Sequence, residues 1–413
     1  MLYLEARFKD TIIGSIPSDW DISMVKETGK VVTGKTPSTK NALFWNGDVP
    51  FVTPTDINHM KLQGKTERRV TESGLKESNE IPSGSLMVTC IASIGKNAVS
   101  KERCCTNQQI NSIIPNTDFD VDYLYYMIEH MKPRLEALAG KTAVPILNKT
   151  SFEQVRLAKP KRTEQQKIAE ILSNIDVTIQ KTDELIETTG RLNIGLMQRL
   201  LTEGIGHSKF KDTNIGRIPE EWNVKALQDV AEIRGSKRVP NVKDVTFIPM
   251  ELVSNNKVYV DYVVKSPTEI KSYTYCEAGD LLLAKITPSL ENGKQGIVPK
   301  DINGGFALAT TEVFPIHCRD INTLYLFYVL KLSTYRNKII ASMIGTTGRL
   351  RASKGAVEKL TIPLPSLHEQ TKIAEILSIA SKKVDTLHKE RTYLGRIKIG
   401  FMSKLLSGRI RVK

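Results

Sequence analysis

Lys167-Ile168-Ala169-Glu170-Ile171-Leu172-Ser173 recurs letter for letter as Lys372-Ile373-Ala374-Glu375-Ile376-Leu377-Ser378, an offset of 205. Downstream, Gly195, Met197, Leu200 and Leu201 return as Gly400, Met402, Leu405 and Leu406 at the same offset. Upstream, Phe8-Lys9-Asp10-Thr11, Gly14, Ile16-Pro17 and Trp20 return as Phe210-Lys211-Asp212-Thr213, Gly216, Ile218-Pro219 and Trp222, an offset of 202. A period near two hundred residues is far too long for a solenoid repeat. The chain therefore reads as two copies of one unit, each a domain followed by a connector, with a pseudo-twofold relation expected between them.

The connectors carry the cleanest apolar pattern. In the first, Ile168, Leu172, Ile175, Ile179, Ile186, Leu196 and Leu200 follow alternating steps of four and three, with Thr182, Thr189 and Asn193 at the weaker positions. In the second, Ile373, Leu377, Ala380, Val384, Leu387, Leu394, Phe401 and Leu405 fall at the corresponding places. Seven-residue spacing over about five heptads predicts a helix seam buried against another helix, and each connector's partner is its own copy. Pro160 and Pro365 precede the helices and Gly204 and Gly408 follow them, matching start and stop chemistry. Spans of 161–205 and 365–413 give helices of about 40 residues, about 60 Å long. Gly190, Gly195, Gly395 and Gly400 fall inside the pattern, at roughly 1 kcal/mol each relative to Ala. They mark a close backbone approach, a bend, or simple tolerance.

The remaining spans, 1–160 and 206–364, mix short β-branched runs with Gly, Pro, Asn and Asp turns, as in Ser85-Leu86-Met87-Val88-Thr89 after Ile81-Pro82-Ser83-Gly84. Each also predicts a late helix, Asp122 to Leu138 and Thr323 to Ala341. The fold class is α+β: two strand-rich α/β globules and two long helices.

The chain has 413 residues, 40% of them hydrophobic, enough for each half to bury a core. Lys and Arg exceed Asp and Glu by 59 − 45 = 14, which favours a polyanionic partner such as nucleic acid. Met1 to Asp10 lacks an apolar signal core, and no run of about 18 apolar residues occurs, so a membrane is not expected and a cytoplasmic location is. Cys90, Cys104, Cys105, Cys276 and Cys318 read as reduced thiols without metal-ligand spacing. His317 beside Cys318 reads as ordinary strand.

Gly29-Lys30-Val31-Val32-Thr33-Gly34-Lys35-Thr36 satisfies the phosphate-loop pattern. Pro37-Ser38-Thr39 follows at once, and Asp21 to Thr28 is no apolar strand, so the strand-loop-helix context is wrong. Asp261 with Glu269-Ile270-Lys271 mimics a nuclease triplet without a counterpart in the first copy. No Asn-Pro-Pro-aromatic tetrad of an amino methyltransferase is present. No catalytic residue, cofactor or metal is therefore expected.

The informative chemistry lies in loops joining cations to amides and hydroxyls. In the first globule these supply Lys35, Thr36, Ser38, Lys40, Arg68, Arg69, Lys96, Asn107, Gln108 and Gln109. In the second they supply Arg234, Lys237, Arg238, Lys285, Thr287, Ser289, Asn292, Lys294, Arg349 and Arg351. Lys and Arg neutralise phosphates, while Asn, Gln and Arg pair with base edges in the major groove. The set reads as a surface facing DNA. The loops differ between copies where the helices agree, so the globules are expected to read different sequences.

These residues resemble the specificity subunits of type I restriction-modification systems. The repeated Phe-Lys-Asp-Thr opening through Trp20 is similar to that family's domain start. Gly34-Lys35-Thr36-Pro37-Ser38 with Phe44-Trp45-Asn46-Gly47-Asp48-Val49-Pro50-Phe51 is similar to its target-recognition domains. Pro160 to Leu172 and Pro365 to Leu377 are similar to its helical conserved regions. The second globule departs from the pattern, having Arg234-Gly235-Ser236-Lys237-Arg238 instead, so its loops are not placed by analogy. The resemblance implies two target-recognition domains separated by an antiparallel helix pair, two modification (methyltransferase) subunits docked on the chain, and restriction subunits completing the nuclease.

The expected function is non-catalytic: each globule reads one half of a split site in double-stranded DNA, and the helix pair sets the gap. A rod of about 60 Å limits the globule centres to roughly 18 base pairs. Apolar residues off the seam, such as Ile171 and Ile376, are expected to await a modification subunit. The alternatives are a helical adaptor that joins proteins without reading DNA, and a phosphate-loop ATPase using Lys35 and Thr36.

Overall fold

A computed structural model describes residues 2–5, 7–58, 61–140, 144–239, 242–346 and 348–412. The chain forms two compact units, Met1–Asp183 with Glu390–Lys413, and Glu184–Lys389. The division falls inside both long helices, Arg162–Thr202 and Leu367–Leu406. It falls within the two connector spans, 161–205 and 365–413, because each globule packs on a segment of both helices.

In the first unit one sheet has the strand order Asn97–Val99, Leu86–Thr89, Ile110–Pro115, Gly29–Thr33, and a second has Arg68–Val70, Trp45–Val52, Cys104–Thr106, Glu80–Ile81. The helix Val121–Ala139 starts where Asp120 accepts from the backbone N–H of Asp122 and Tyr123. It buries Tyr123, Tyr126 and Leu135 in a core with Trp20, Leu157, Ile168, Leu172, Leu405 and Leu406. The second unit repeats this topology: Gln295–Ile297, Leu281–Ala284, Val313–Cys318, Ala231–Ile233, then Val263–Lys265, Val245–Ile248, Phe306–Ala309, Thr274–Glu277. Its core joins Trp222, Tyr325 and Ile362 to Leu200, Leu201, Ile373 and Leu377.

Within each unit the two helix segments run antiparallel. Arg391 meets Asp183 at 3.1 Å and Lys398 meets Asp176 at 2.9 Å in the first unit, and Asn193 meets Ser381 at 3.4 Å in the second. The numbers in each pair sum to 574 (391 + 183, 398 + 176, 193 + 381), the signature of antiparallel register. Seam residues next to a globule, Ile168, Leu172, Leu200, Ile373, Leu377 and Leu405, are buried, and so is Leu387 midway along its helix. Ile175, Ile179, Ile186, Leu196, Val384, Leu394 and Phe401 are half-buried, since two helices alone cannot cover a seam from every side.

Both helix starts are tied down by the same device. Trp20 donates its indole N–H to Glu164 at 3.1 Å, and Trp222 donates to Glu369 at 3.0 Å. In the first unit Arg411 completes the knot, reaching Glu164 at 2.7 Å, Asp19 at 2.8 Å and Glu5. In the second, His207 takes that place against Glu369 at 2.9 Å. Gly408 (φ +69°) and Gly204 (φ +69°) lie against these knots, and an added Cβ would fall 2.2 Å from Pro17 and 2.5 Å from Glu369. The pairing of Leu2–Leu4 with Ile410–Val412, which holds Arg411 there, has no signal in the sequence pattern.

Two expectations are corrected and one open alternative is narrowed. The second globule's late helix is two, Thr323–Lys331 and Ser333–Ile340, with Leu332 extended between them at ψ 132°. There the carbonyl of Leu330 accepts from the Arg336 guanidinium at 3.2 Å instead of continuing the helix. Ile171 is half-buried against the first core, while Ile376 is 39% exposed. The helix glycines mark no close approach: a Cβ at Gly190, Gly195 or Gly400 would meet nothing within 4 Å, and at Gly395 only the Arg391 side chain at 3.7 Å. Gly29–Thr33 is itself a strand paired with Asn111–Pro115, and no helix follows it to cradle a phosphate.

All five cysteines are free, and burial pushes the Cys90 and Cys105 thiols up to about 11. Among the described residues no helix is long and apolar enough to cross a membrane.

Arg411→Ala is expected to cost about 3–5 kcal/mol in urea unfolding at pH 7, because Glu164 and Glu5 stay behind nearly buried. Arg411 donates to the Asp19 carboxyl and holds it below its ordinary value. That contribution is present above the ordinary carboxylate range and is lost as pH falls through the lowered value. The penalty of the substitution should therefore shrink on acidification, and a penalty unchanged at pH 3 would contradict the assignment. Gly190→Ala, Gly195→Ala and Gly400→Ala should each raise stability by up to about 1 kcal/mol in the same assay, since helix propensity improves without a clash.

Candidate nucleic-acid interface

In the first unit the strand register brings the predicted loops to one end of the sheets. Asn97 pairs with Val88, Thr89 with Ile110, and Asn111 with Thr33. Lys96, the Asn107–Gln109 turn and the Gly34–Lys40 loop therefore leave the first sheet at the same edge. In the second sheet Val52 pairs in parallel with Thr106, which leads straight into Asn107, and Arg68 pairs with Phe51. Gly34 is required there: a Cβ would lie 2.2 Å from the Asn107 carbonyl and from the Thr106 hydroxyl.

The loops hold each other in place. Thr36 donates to the Gln108 side chain at 2.7 Å, and Asn107 donates to Gln109 at 3.2 Å. The Lys35 carbonyl accepts from Ser78, and the Ser38 carbonyl accepts from the Trp45 indole at 3.1 Å. The side chains of Lys35, Ser38, Lys40, Arg68, Lys96 and Gln108 remain exposed. Arg69 turns back to donate to the Asp48 carbonyl.

The second unit gathers Lys285, Thr287, Ser289, Asn292, Lys294, Arg349 and Arg351 at the corresponding end. The Lys285 N–H bonds to the Glu312 carbonyl at 3.0 Å, the Thr287 N–H to Leu350 at 3.0 Å, and Ile286 bridges Arg351. Several of these groups are already committed. Arg351 pairs with Glu312 at 2.6 Å, Thr287 donates to Glu291 at 2.7 Å, and Lys294 donates to the Met250 carbonyl at 2.8 Å. Ser289 is buried. Burial holds the Lys285 ammonium below its ordinary pKa as it lies over the Phe314 ring. Asn292 and Arg349 are exposed.

Three predicted residues do not join this end. The strand Ala231–Ile233 stops two residues short of its first-unit equivalent, yet the Arg234 N–H still bonds the Pro315 carbonyl at 2.9 Å, so Arg234 stays on the sheet. There the fully buried carboxylate of Asp280 requires a countercharge. Arg234 supplies it at 2.5 Å while also reaching Glu277 at 2.8 Å and His317 at 2.8 Å. Lys237 bonds Glu277 at 3.1 Å and holds that carboxyl below its ordinary value. Arg238 faces an open groove with Lys243, Ser266 and Thr268, beyond the opposite end of the second sheet. An acid opening the apolar run Asp280-Leu281-Leu282-Leu283 was the available signal that a cation would be drawn inward.

Two further surfaces carry no signal in the spacing of the loop residues. Trp45 and Phe51 form the aromatic floor beneath Arg68, and Tyr262, Val263 and Val264 expose an apolar edge in the second unit. Among the described residues no group of His, Cys, Asp and Glu is placed to hold a metal ion.

With this geometry in hand, residues 17–188 and 219–394 each match the family profile described as the type I restriction modification DNA specificity domain. The chain is similar to the type I restriction enzyme MjaIX specificity subunit of Methanocaldococcus jannaschii, 28% identical over 99% of this chain and 98% of that protein. It is similar to the MjaVIII specificity subunit of the same organism, 26% identical over 100% and 97%. In fold it resembles the type I restriction-modification S subunit from M. genitalium, TM-score 0.57 at 15% identity over 94% of this chain and 96% of that one.

Proposed function

Because the chain belongs to the type I restriction-modification DNA specificity family, we propose that it is the subunit that reads a split, asymmetric site in double-stranded DNA, one globule to each half-site. The observation that carries this is the convergence, in each unit separately, of cation- and amide-bearing loops on one end of paired sheets. Such an end can present donors and acceptors to a groove while Lys35, Lys40 and Lys96 neutralise phosphates. Affinity should come chiefly from phosphates and fall steeply with salt, and sequence choice from a few base contacts. The committed state of Arg234, Lys237, Lys294 and Arg351 leaves the second globule with fewer free cations, so the two half-sites should contribute unequally. The chain works without chemistry of its own, and a partner transfers the methyl group.

The two long helices are proposed to set the gap between half-sites and to dock two modification subunits, with restriction subunits joining the assembly. Ile194 and Ile399, equivalent at the 205-residue offset, are 58% and 66% exposed, and Ile379 is 72% exposed. Apolar side chains of that size left in water on helices otherwise rich in charge suit a protein partner.

Mapping methylated bases genome-wide, in cells with this gene and its modification partner against cells lacking this gene, should yield one motif of two unequal half-sites around unread base pairs. An unsplit motif, or methylation unchanged without the gene, would remove the reading. Four residues inserted after Thr182 and, opposite it at the 574 register, after Arg391 should lengthen the unread gap by roughly two base pairs, at 1.5 Å per residue and 3.4 Å per base pair, with both half-sites unaltered. A gap of unchanged length would place the ruler elsewhere.

A further inference from the structure

Arg68 opens the strand Arg68–Val70, where it pairs with Phe51. Its guanidinium carbon lies 3.6 Å over the ring centroid of Trp45 and 5.8 Å from that of Phe51. The two rings meet edge-on at 5.1 Å, and Trp45 is fixed in turn by its hydrogen bond to the Ser38 carbonyl. A guanidinium resting on an aromatic face loses little further freedom on binding, and stacking occupies its face while leaving its N–H edge open. Among the described residues no carboxylate takes that edge, whereas Arg103 is committed to Glu72 and Arg69 to the Asp48 carbonyl.

The position suits a base better than a phosphate. Phe51, the partner of Arg68, pairs on its other side with Cys105, two residues before Asn107. Arg68 thus stands two strand spacings, about 10 Å, from the strand that runs into the Asn107–Gln109 turn, within the roughly 12 Å width of a major groove. A phosphate is satisfied by a mobile cation, whereas a base edge needs a fork held in one orientation.

We propose that Arg68 reads a guanine in the half-site of the first globule, donating two N–H groups to its O6 and N7, with Trp45 as the platform that fixes the fork. This rests on the reading of the chain as a reader of DNA sequence. The second globule cannot make the same contact. Phe247 pairs with Leu308 as Phe51 pairs with Cys105, and its neighbour at the Arg68 position is Val263. Val263 is 38% exposed and has no side-chain donor. A guanine contact of this kind therefore belongs to the first half-site alone.

The test uses this chain assembled with its modification partner, challenged with duplexes randomised across both half-sites and sequenced after selection. The wild type should enrich a split motif with an obligatory guanine in one half. Arg68→Ala should reduce discrimination for guanine at that one position by roughly tenfold or more, with every other position unchanged and the melting temperature lowered by no more than about 2–4 °C for the lost stacking contact. Trp45→Leu, which keeps the arginine but removes its platform, should relax the same position. If Arg68→Ala weakens all sequences alike, Arg68 is a phosphate contact and the inference falls. If it leaves selection untouched, Arg68 only covers Trp45 and the inference falls. If the wild type enriches no motif, the reading of the chain as a sequence reader fails with it.

Discussion

The structure depends on burying one apolar stripe on each of two long helices. Alone, neither stripe has a partner: a helix of 41 residues with Ile or Leu at most of its third and fourth positions exposes its whole seam to water. The antiparallel register settles this in both units by the same sum of residue numbers, and the globules complete it. Ile168 and Leu172 bury against Leu405 and Leu406 together with Trp20 and Leu157, and Ile373 and Leu377 bury against Leu200 and Leu201 together with Trp222 and Ile362. Each globule is thus built on two helix segments from distant parts of the chain. Neither half of the sequence makes a finished unit by itself.

The same dependence fixes the sheets relative to the helices. The acid in the first turn of each helix, Glu164 or Glu369, receives the indole of the repeated opening phrase and a cation or imidazole from the segment after the other helix. A favourable charge at a helix start, a buried aromatic and the chain exit are joined in one contact set. The sheets anchored this way present their loop ends as a rigid base, and the loops can vary between copies without disturbing the core. That separation explains how a seven-residue phrase stays identical at an offset of 205 residues while the loops at the sheet ends share almost nothing.

Much of this was written in the sequence. Alternating steps of four and three, repeated in register, define the helices because period and burial are the same fact seen twice. The loop cations were harder, because whether a cation is free is decided by groups far away in sequence. Arg234 sits among Gly, Ser, Lys and Arg and reads as solvated, yet Asp280, 46 residues on, draws it inward. Arg68 reads as one cation among several, and only Trp45, on a neighbouring strand, distinguishes it. The strand formed by Ile410–Val412 with Leu2–Leu4 joins segments about 400 residues apart, and neither carries a pattern that announces the other. Local periodicity is legible from a single sequence, whereas pairwise electrostatic commitments need the register of the sheets.

The helix pairing is most directly tested by cross-linking. Oxidation of the Asn193→Cys, Ser381→Cys chain, and separately of the Asp183→Cys, Arg391→Cys chain, should form an intramolecular disulfide in each, while Asn193→Cys with His388→Cys, one heptad out of register, should not. Cross-linking of the shifted pair, or of neither matched pair, would contradict the antiparallel register on which the two units are built.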